Sequence, residues 1–304
     1  MVERTPIFNA ICQFILLVGL IVALLPFAIV IIASTHDIRA VNIVPMPLTP
    51  GSHFLDNVRE AWHRADLGHK LFNSILFATA VAFGKVALSS MAAFAIVYFR
   101  FPGRSILFWA IFLTLMLPLE VRIVPTYAVA ANALAPFQAI LNVTGINWLI
   151  HAVSGIEVNL QWGLLNSYPG LILPMVATAT GTFLYRQFYL TVPDELAEAS
   201  KMDGSGPIRF FWDILLPLSR PNMIALFTIM FVWAWNQYLW PLLVTTDPSF
   251  GIAVTQLKTL IPSEFGLPDW NVAMAGTLVI MAPPLILVIF MQRWFVRGLI
   301  STEK

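Results

Sequence analysis

The sequence predicts an all-α membrane protein with six transmembrane helices, and three observations carry that expectation. Only 11% of the 304 residues are charged and 59% are hydrophobic, where a soluble domain carries about 25% charged residues. Six stretches reach the roughly 20 apolar residues that a helix needs to cross the hydrocarbon core, near 11–34, 72–99, 105–131, 168–190, 221–245 and 272–296. The basic residues between these stretches and near their ends divide ten against five between alternate sides. Lys and Arg concentrate on the cytoplasmic side, so the N and C termini are both expected in the cytoplasm.

The first stretch is too long for the apolar core of a signal peptide, and Ser34-Thr35-His36-Asp37 follows it rather than a small-residue cleavage site. It is read as a retained span. Cys12 within it is the sole cysteine, which excludes an intrachain disulfide. Residues 35–71 form a polar, Pro-rich outer loop with a short helix expected around 55–63. All five histidines fall on the outer side at irregular spacing, as loop residues rather than a metal set.

The second span ends in Phe99-Arg100-Phe101-Pro102-Gly103-Arg104, a tight basic turn that makes the second and third spans an antiparallel hairpin. Pro118, Glu120, Arg122 and Pro125 interrupt the third span. The outer loop 132–167 that follows contains Leu149, Ile150 and Trp162, a composition suited to lying along the membrane surface. The fourth span is rich in Thr and Gly. No internal repeat is visible, and a net charge of +1 leaves no footprint for nucleic acid.

Between the fourth and fifth spans lies a polar segment, 191–217. Thr191 is expected to cap a helix whose first turn holds Pro193, Asp194 and Glu195, with Asp194 as the capping-box acid. Gly204 stops this helix, and Ser205 or Gly206 caps a second one with Pro207 near its start. Ile208, Phe211, Trp212 and Leu215 fall at i, i+3, i+4 and i+7 as one apolar stripe, which Pro217 and Pro221 end.

Five polar residues sit inside apolar spans: Lys85, Glu120, Arg122, Asn236 and Gln237. An ionisable residue at mid-bilayer costs about 2.5–3.5 kcal/mol on insertion scales, so such residues face protein or water. Lys85, Glu120 and Asn236 each lie 15 residues from the cytoplasmic end of their span, or about 22 Å at the helical rise. They are expected to form one polar layer lining a cavity, with Lys85 and Glu120 close enough to pair. A packing ion pair without substrate contact is the alternative. Trp233, in an aromatic-dense run ending at Pro241, is read as a substrate-facing wall or as part of an interface belt. No HExxH, GxSxG or Walker A sequence occurs, so no enzymatic activity is expected of the chain.

With this topology the chain resembles the inner-membrane permease subunits of bacterial binding-protein-dependent ABC importers. Glu198-Ala199-Ser200, then Asp203-Gly204, nine residues, and Ile214-Leu215-Leu216-Pro217 match the family signature, with Ser200 in place of its third alanine. Arg100-Phe101-Pro102-Gly103-Arg104, Trp235-Asn236-Gln237 and the run from Gln292 to Gly298 are similar to the carbohydrate-importer branch. Within it, the run from Phe112 to Ile123, Phe183-Leu184-Tyr185-Arg186-Gln187-Phe188 and the tail Ser301-Thr302-Glu303-Lys304 resemble glycerol-3-phosphate importer permeases. About 30 residues between Leu134 and Gly163 stand as an insertion relative to the family.

The resemblance implies a type I importer permease fold, in a bacterial inner membrane, forming half of a pathway for glycerol-3-phosphate or glycerophosphodiesters. It implies a second, homologous permease subunit, a cytoplasmic ATPase dimer that binds ATP and Mg, and a solute-binding protein. Glu195, Glu198, Ala199, Asp203, Gly204, Ile214 and Pro217 would then couple the chain to the ATPase, with small Ala197, Ala199 and Ser200 allowing close approach. The alternatives are a sugar or oligosaccharide importer permease and, in a different class, a secondary transporter or channel without an ATPase. The second should show inverted repeats and discontinuous helices, and neither is evident in the sequence.

Overall fold

The computed structural model describes residues 6–114, 117–261 and 267–300, and the side chains of all these except Pro6, Leu119, Glu120 and 293–300. Helices dominate the described residues, and none of those residues is in a strand. In chain order they are α1 (Pro6–Ser34), α2 (Ile38–Val41), α3 (Phe54–Arg64), α4 (Leu67–Tyr98), α5 (Arg104–Leu113), α6 (Leu119–Ala131), α7 (Ala135–Val143) and α8 (Ile146–Ser154). There follow α9 (Tyr168–Val176), α10 (Ala179–Tyr189), α11 (Asp194–Met202), α12 (Pro207–Phe210), a π-helical turn (Phe211–Leu215), α13 (Leu216–Leu218), α14 (Arg220–Trp235), α15 (Leu239–Val244), α16 (Ala253–Leu260) and α17 (Trp270–Ile300).

Three helices are long and apolar enough to cross a membrane unbroken, over Ile7–Ser34, Leu67–Tyr98 and Trp270–Gln292. The other three expected spans are divided. The third falls into α5 and α6, the fourth into α9 and α10, and the fifth into α14 and α15. Proline explains two of the breaks. Pro118 is the N-cap of α6, and the residue before a proline is pushed out of the helical region. Pro241, in the first turn of α15, clashes with the carbonyl four residues back, at Gln237, so α14 cannot run on into α15. Discontinuous helices, not evident in the sequence, are therefore present. Apolar composition reports length and burial, whereas a break is set by a few backbone groups.

The chain forms two compact units. One comprises Met1–Leu71 and Gln256–Pro283, and a single side chain ties its loops together. The Asn57 amide donates to the carbonyls of Ser34 and His36, both at 2.8 Å, and accepts from the Asn271 amide at 2.7 Å. Its α3 matches the short helix expected around 55–63. Arg64 at the end of α3 pairs with Asp269 at 2.7 Å, and the Asn42 amide donates to Pro268 O at 2.8 Å. Close packing adds to this, because a Cβ on Gly276 would meet Leu260 Cδ1 at 2.3 Å. Asn57 is buried, so Asn57→Ala strands two buried carbonyls and one amide. The expected loss is about 2–4 kcal/mol of stability, read as a lower unfolding midpoint in detergent.

The other unit comprises Phe72–Thr255 and Pro284–Lys304. Small residues let α4 approach its neighbours. A Cβ on Gly84 would meet Val176 Cγ1 at 2.6 Å, and one on Gly181 would meet Ser89 Oγ at 2.3 Å and Leu226 Cδ2 at 3.1 Å. So α4, the α9–α10 pair and α14 pack at near-backbone distance, the way helices associate in lipid. Asn73 and Ser74, adjacent near the start of α4, have a structural task here. The Asn73 amide donates to the carbonyls of Ser249 and Gly251 and accepts from the Tyr168 hydroxyl, and Ser74 Oγ accepts from Ala253 N. Trp240, fully buried, donates through Nε1 to Leu171 O at 3.1 Å.

Candidate functional site

Two places in the second unit carry the polar residues singled out from the sequence. The first is the segment 191–217. Its opening helix is α11, but Thr191 does not cap it. The N-cap is Pro193, and Thr191 Oγ1 donates back to Phe188 O at 2.7 Å. A threonine hydroxyl has a carbonyl within reach in the preceding helical turn, and that bond is made instead of the capping box. Asp194 and Glu195 remain in the first turn, where they complement the helix dipole.

The stop at Gly204 is as expected. Its φ is +74°, Gly204 N donates to Lys201 O at 3.0 Å, and Ser205 N donates to Ser200 O at 2.9 Å. These two bonds are a Schellman cap, whose left-handed position favours glycine. Gly206 is the N-cap of α12, with Pro207 in its first turn. Neither Pro217 nor Pro221 ends this second helix. The π-helical turn lets the chain pass Pro217, since Leu216 N bonds to Phe211 O and the proline has no N–H to give. Helical backbone continues to Leu218, and Pro221 opens the next helix, α14, after a bend of 74°. Proline suits a first helical turn because its N–H would be unpaired there anyway.

The expected single apolar stripe is split. Phe211 and Leu215 are buried, whereas Ile208 and Trp212 are 74% and 60% exposed. Phe210 joins the buried set, and the two phenylalanines bolt this element to the end of α4. Phe210 lies 5.2 Å from Tyr98 and Phe211 lies 4.9 Å from Phe94, ring centre to ring centre. The Ser90 and Tyr189 hydroxyls, 2.6 Å apart, tie the end of α10 to the same helix.

Of the residues with an expected coupling role, Glu195, Glu198, Ala199, Asp203, Gly204 and Pro217 are exposed and Ile214 is half-buried. Ser200 is different. It is buried at 4% exposure, facing a small cavity shared with Phe94, Tyr98 and Phe210. The serine that replaces the signature alanine therefore packs inward.

The second place is the level of Lys85. This side chain is buried at 4% exposure, and its Nζ sits 3.8 Å from the centre of the Trp233 ring. Two residues singled out independently are thus in contact. A desolvated cation over tryptophan gains about 2 kcal/mol from the ring quadrupole. Asn236 and Gln237 stand at the break after α14, where their amides donate to Val232 O and Trp233 O at 2.9 and 3.3 Å. Val232 O also accepts from Asn236 N, whereas Gln237 N turns to Ala234 O, so the Gln237 amide holds the carbonyl that the interrupted helix leaves without a backbone partner. Arg122 is exposed on α6.

The side chain of Glu120 lies outside the described residues, and so does its expected pairing with Lys85. The depth estimate needs revision for Glu120 in any case, since the break between α5 and α6 invalidates a constant rise from Ser105. The contact of Lys85 with Trp233, three residues before Asn236, places Lys85 of α4 beside the end of α14. The aromatic run is mostly packing, with Trp235 and Trp240 buried and Trp233 half-exposed. Among the described residues no group of three His, Cys, Asp or Glu could hold a metal ion.

Broken apolar helices, a cation buried at the level of a break and a capped polar hairpin bolted to α4 define a helical membrane protein of the transport-permease class. The chain belongs to the family described as binding-protein-dependent transport system inner membrane component, which matches residues 85–301. It is 44% identical over 310 aligned residues to the sn-glycerol-3-phosphate transport system permease protein UgpE of Yersinia enterocolitica, and 43% identical to that of Escherichia coli strain K12, with full coverage of each chain. Among solved structures it is similar to a bacterial ABC transporter involved in the import of the acidic polysaccharide alginate. The TM-score is 0.73 at 16% identity, over 97% of this chain and 99% of that one. At that identity the likeness concerns the fold.

Proposed function

We propose that this chain is one membrane half of an ATP-driven importer of sn-glycerol-3-phosphate or glycerophosphodiesters in a bacterial inner membrane. The observation that carries this reading is the 43–44% identity to glycerol-3-phosphate permeases over the full length of each chain. The buried Lys85 is consistent with an anionic cargo. The six spans of the sequence reading, three of them broken, form the half-pathway with both termini cytoplasmic. A second permease subunit completes it, a solute-binding protein delivers substrate outside, and an ATPase dimer binds ATP and Mg inside.

In this reading the exposed face of α11 and its Gly204 turn sits in the ATPase. Glu198 offers a carboxylate for bidentate pairing with a guanidinium of the partner. Movement of the ATPase pair reaches α4 through Phe210 and Phe211, whose rings pack edge-on or tilted against Tyr98 and Phe94. Lys85 lies nine residues up the same helix from Phe94, about 14 Å along its axis. A rigid displacement of the cytoplasmic element therefore displaces the Lys85–Trp233 contact, which is how hydrolysis would open and close the polar level.

Uptake of labelled glycerol-3-phosphate and of labelled maltose, in cells lacking this chain and in the same cells resupplied with it, tests the assignment. Restored glycerol-3-phosphate uptake with unchanged maltose uptake is the expected result. Restored maltose uptake alone would assign the chain to sugar import.

A further inference from the structure

The segment between α6 and α9 is built inside out. Its polar side chains are spent on its own backbone. Gln138 donates to Val158 O at 2.9 Å and accepts from Leu160 N at 2.8 Å. Asn132 donates to Leu160 O and accepts from Trp162 N, and Asn147 accepts from Val158 N at 3.0 Å. The non-helical strap 155–164 thus has backbone groups satisfied by amides of α7, α8 and the α6–α7 bend. Two further bonds, Ala133 N to Trp162 O and Leu164 N to Ala130 O, close it onto the end of α6. Internal satisfaction of this kind is what backbone needs where water is scarce.

The large outward side chains are mostly apolar, although Asn142, Thr144, His151, Glu157 and Gln161 are exposed as well. Val143 and Val153 are each 88% exposed, Trp148 70%, Ile156 64%, and Phe137 and Ile140 58%. Between Leu134 and Gly163 the only acidic residue is Glu157 and no Lys or Arg occurs. A soluble protein partner meeting this surface would find almost no charge to pair with. The apolar face is also continuous with a span: Val121 and Val124 of α6 are 63% and 73% exposed, and α7 turns from α6 by 76°. A helix that leaves a span at that angle lies near the membrane plane.

We propose that the α7–α8 hairpin and its strap form an in-plane anchor embedded in lipid at the outer boundary of the bilayer, with Val143, Trp148 and Val153 among the acyl chains. The anchor fixes the outer end of α6 against tilting and so holds the level that carries Arg122. It requires only that α6 ends at the outer face of the bilayer, whatever the cargo. The absence of Lys and Arg makes this anchor indifferent to anionic headgroups, unlike the basic amphipathic helices that need them.

Spin labels at Val143→Cys and Val153→Cys, each with Cys12→Ser, test this in the complete transporter reconstituted in phosphatidylethanolamine–phosphatidylglycerol vesicles. Both positions are outward-facing, so labelling leaves packing intact. Ser52→Cys, on the exposed loop before α3, is the aqueous reference. The expected result is an oxygen-to-nickel-chelate collision ratio about threefold or more above that reference, as for a site at the acyl boundary. A ratio equal to the reference would mean water on that face. Low collision with both reagents would mean a protein subunit or the solute-binding protein covers it. Either outcome overturns the proposal.

Discussion

Gly204→Asp is expected to leave the chain inserted and folded while uptake falls at least about tenfold. The intramolecular cost is small. A Cβ at Gly204 meets nothing within 4 Å, and the left-handed φ of +74° costs an L-residue about 1–2 kcal/mol, less for aspartate, whose side chain can bond locally. What changes is the surface. Glu195, Glu198 and Asp203 already stand exposed around this turn, and a fourth acid in contact with a docked partner leaves a charge desolvated and unpaired. A tenfold loss corresponds to about 1.4 kcal/mol. The measurement is uptake alongside ATP hydrolysis in proteoliposomes, with hydrolysis persisting and transport lost. Gly204→Asn is the control, since asparagine tolerates the same backbone without the charge, and it should keep most of the uptake. Normal transport by the aspartate variant would mean that this turn docks against nothing.

The local structure of segment 191–217 was legible at the level of spacing. Acids, a glycine and a proline at set intervals specify a helix start, a stop and a second start, and the Schellman bonds at Gly204 are what the glycine was for. The capping at Thr191 was misread because its hydroxyl has two competing partners, and local sequence does not say which wins. The π-helical turn at Phe211–Leu215 was not legible either. It inserts one extra residue per turn where Pro217 would otherwise break the helix, and so turns Ile208 and Trp212 away from the face that Phe211 and Leu215 bury.

The spans were legible as apolar stretches and illegible as objects. Pro118 and Pro241 were visible in the sequence, yet whether a proline kinks a helix or divides it depends on what satisfies the freed carbonyls. At the end of α14 the Gln237 amide answers for Trp233 O, while the Asn236 amide adds a second bond to Val232 O. Residues singled out in the sequence as pathway candidates thus also serve a helix end. Asn57 was not singled out at all, because a lone asparagine in a polar loop gives no signal until the three segments it joins are folded. The Lys85–Trp233 contact joins residues nearly 150 positions apart, and only packing through Gly84 and Gly181 brings their helices close enough.

Lys85→Met separates a binding role for that contact from a packing role. Methionine matches the apolar stem of lysine and removes only the charge. If Lys85 is a structural cation, replacing a buried charge by an apolar side chain of similar volume is neutral or stabilising, and uptake should be unchanged. If Lys85 meets an anionic cargo, uptake of glycerol-3-phosphate should fall by about tenfold or more. A charge interaction at an effective dielectric of 20 is worth about 4 kcal/mol at 4 Å before desolvation is subtracted. The loss should appear as weaker stimulation of ATP hydrolysis by substrate-loaded binding protein, with basal hydrolysis intact, since Phe210 and Phe211 still join the ATPase-facing element to α4. Lys85→Arg should recover part of the uptake. Trp233→Phe, which keeps a ring under the cation, should cost less than Trp233→Ala, because a weaker quadrupole still orients the ammonium while an alanine lets it swing free. Equal losses in the two Trp233 variants would mean that a ring under the ammonium is not what this position supplies.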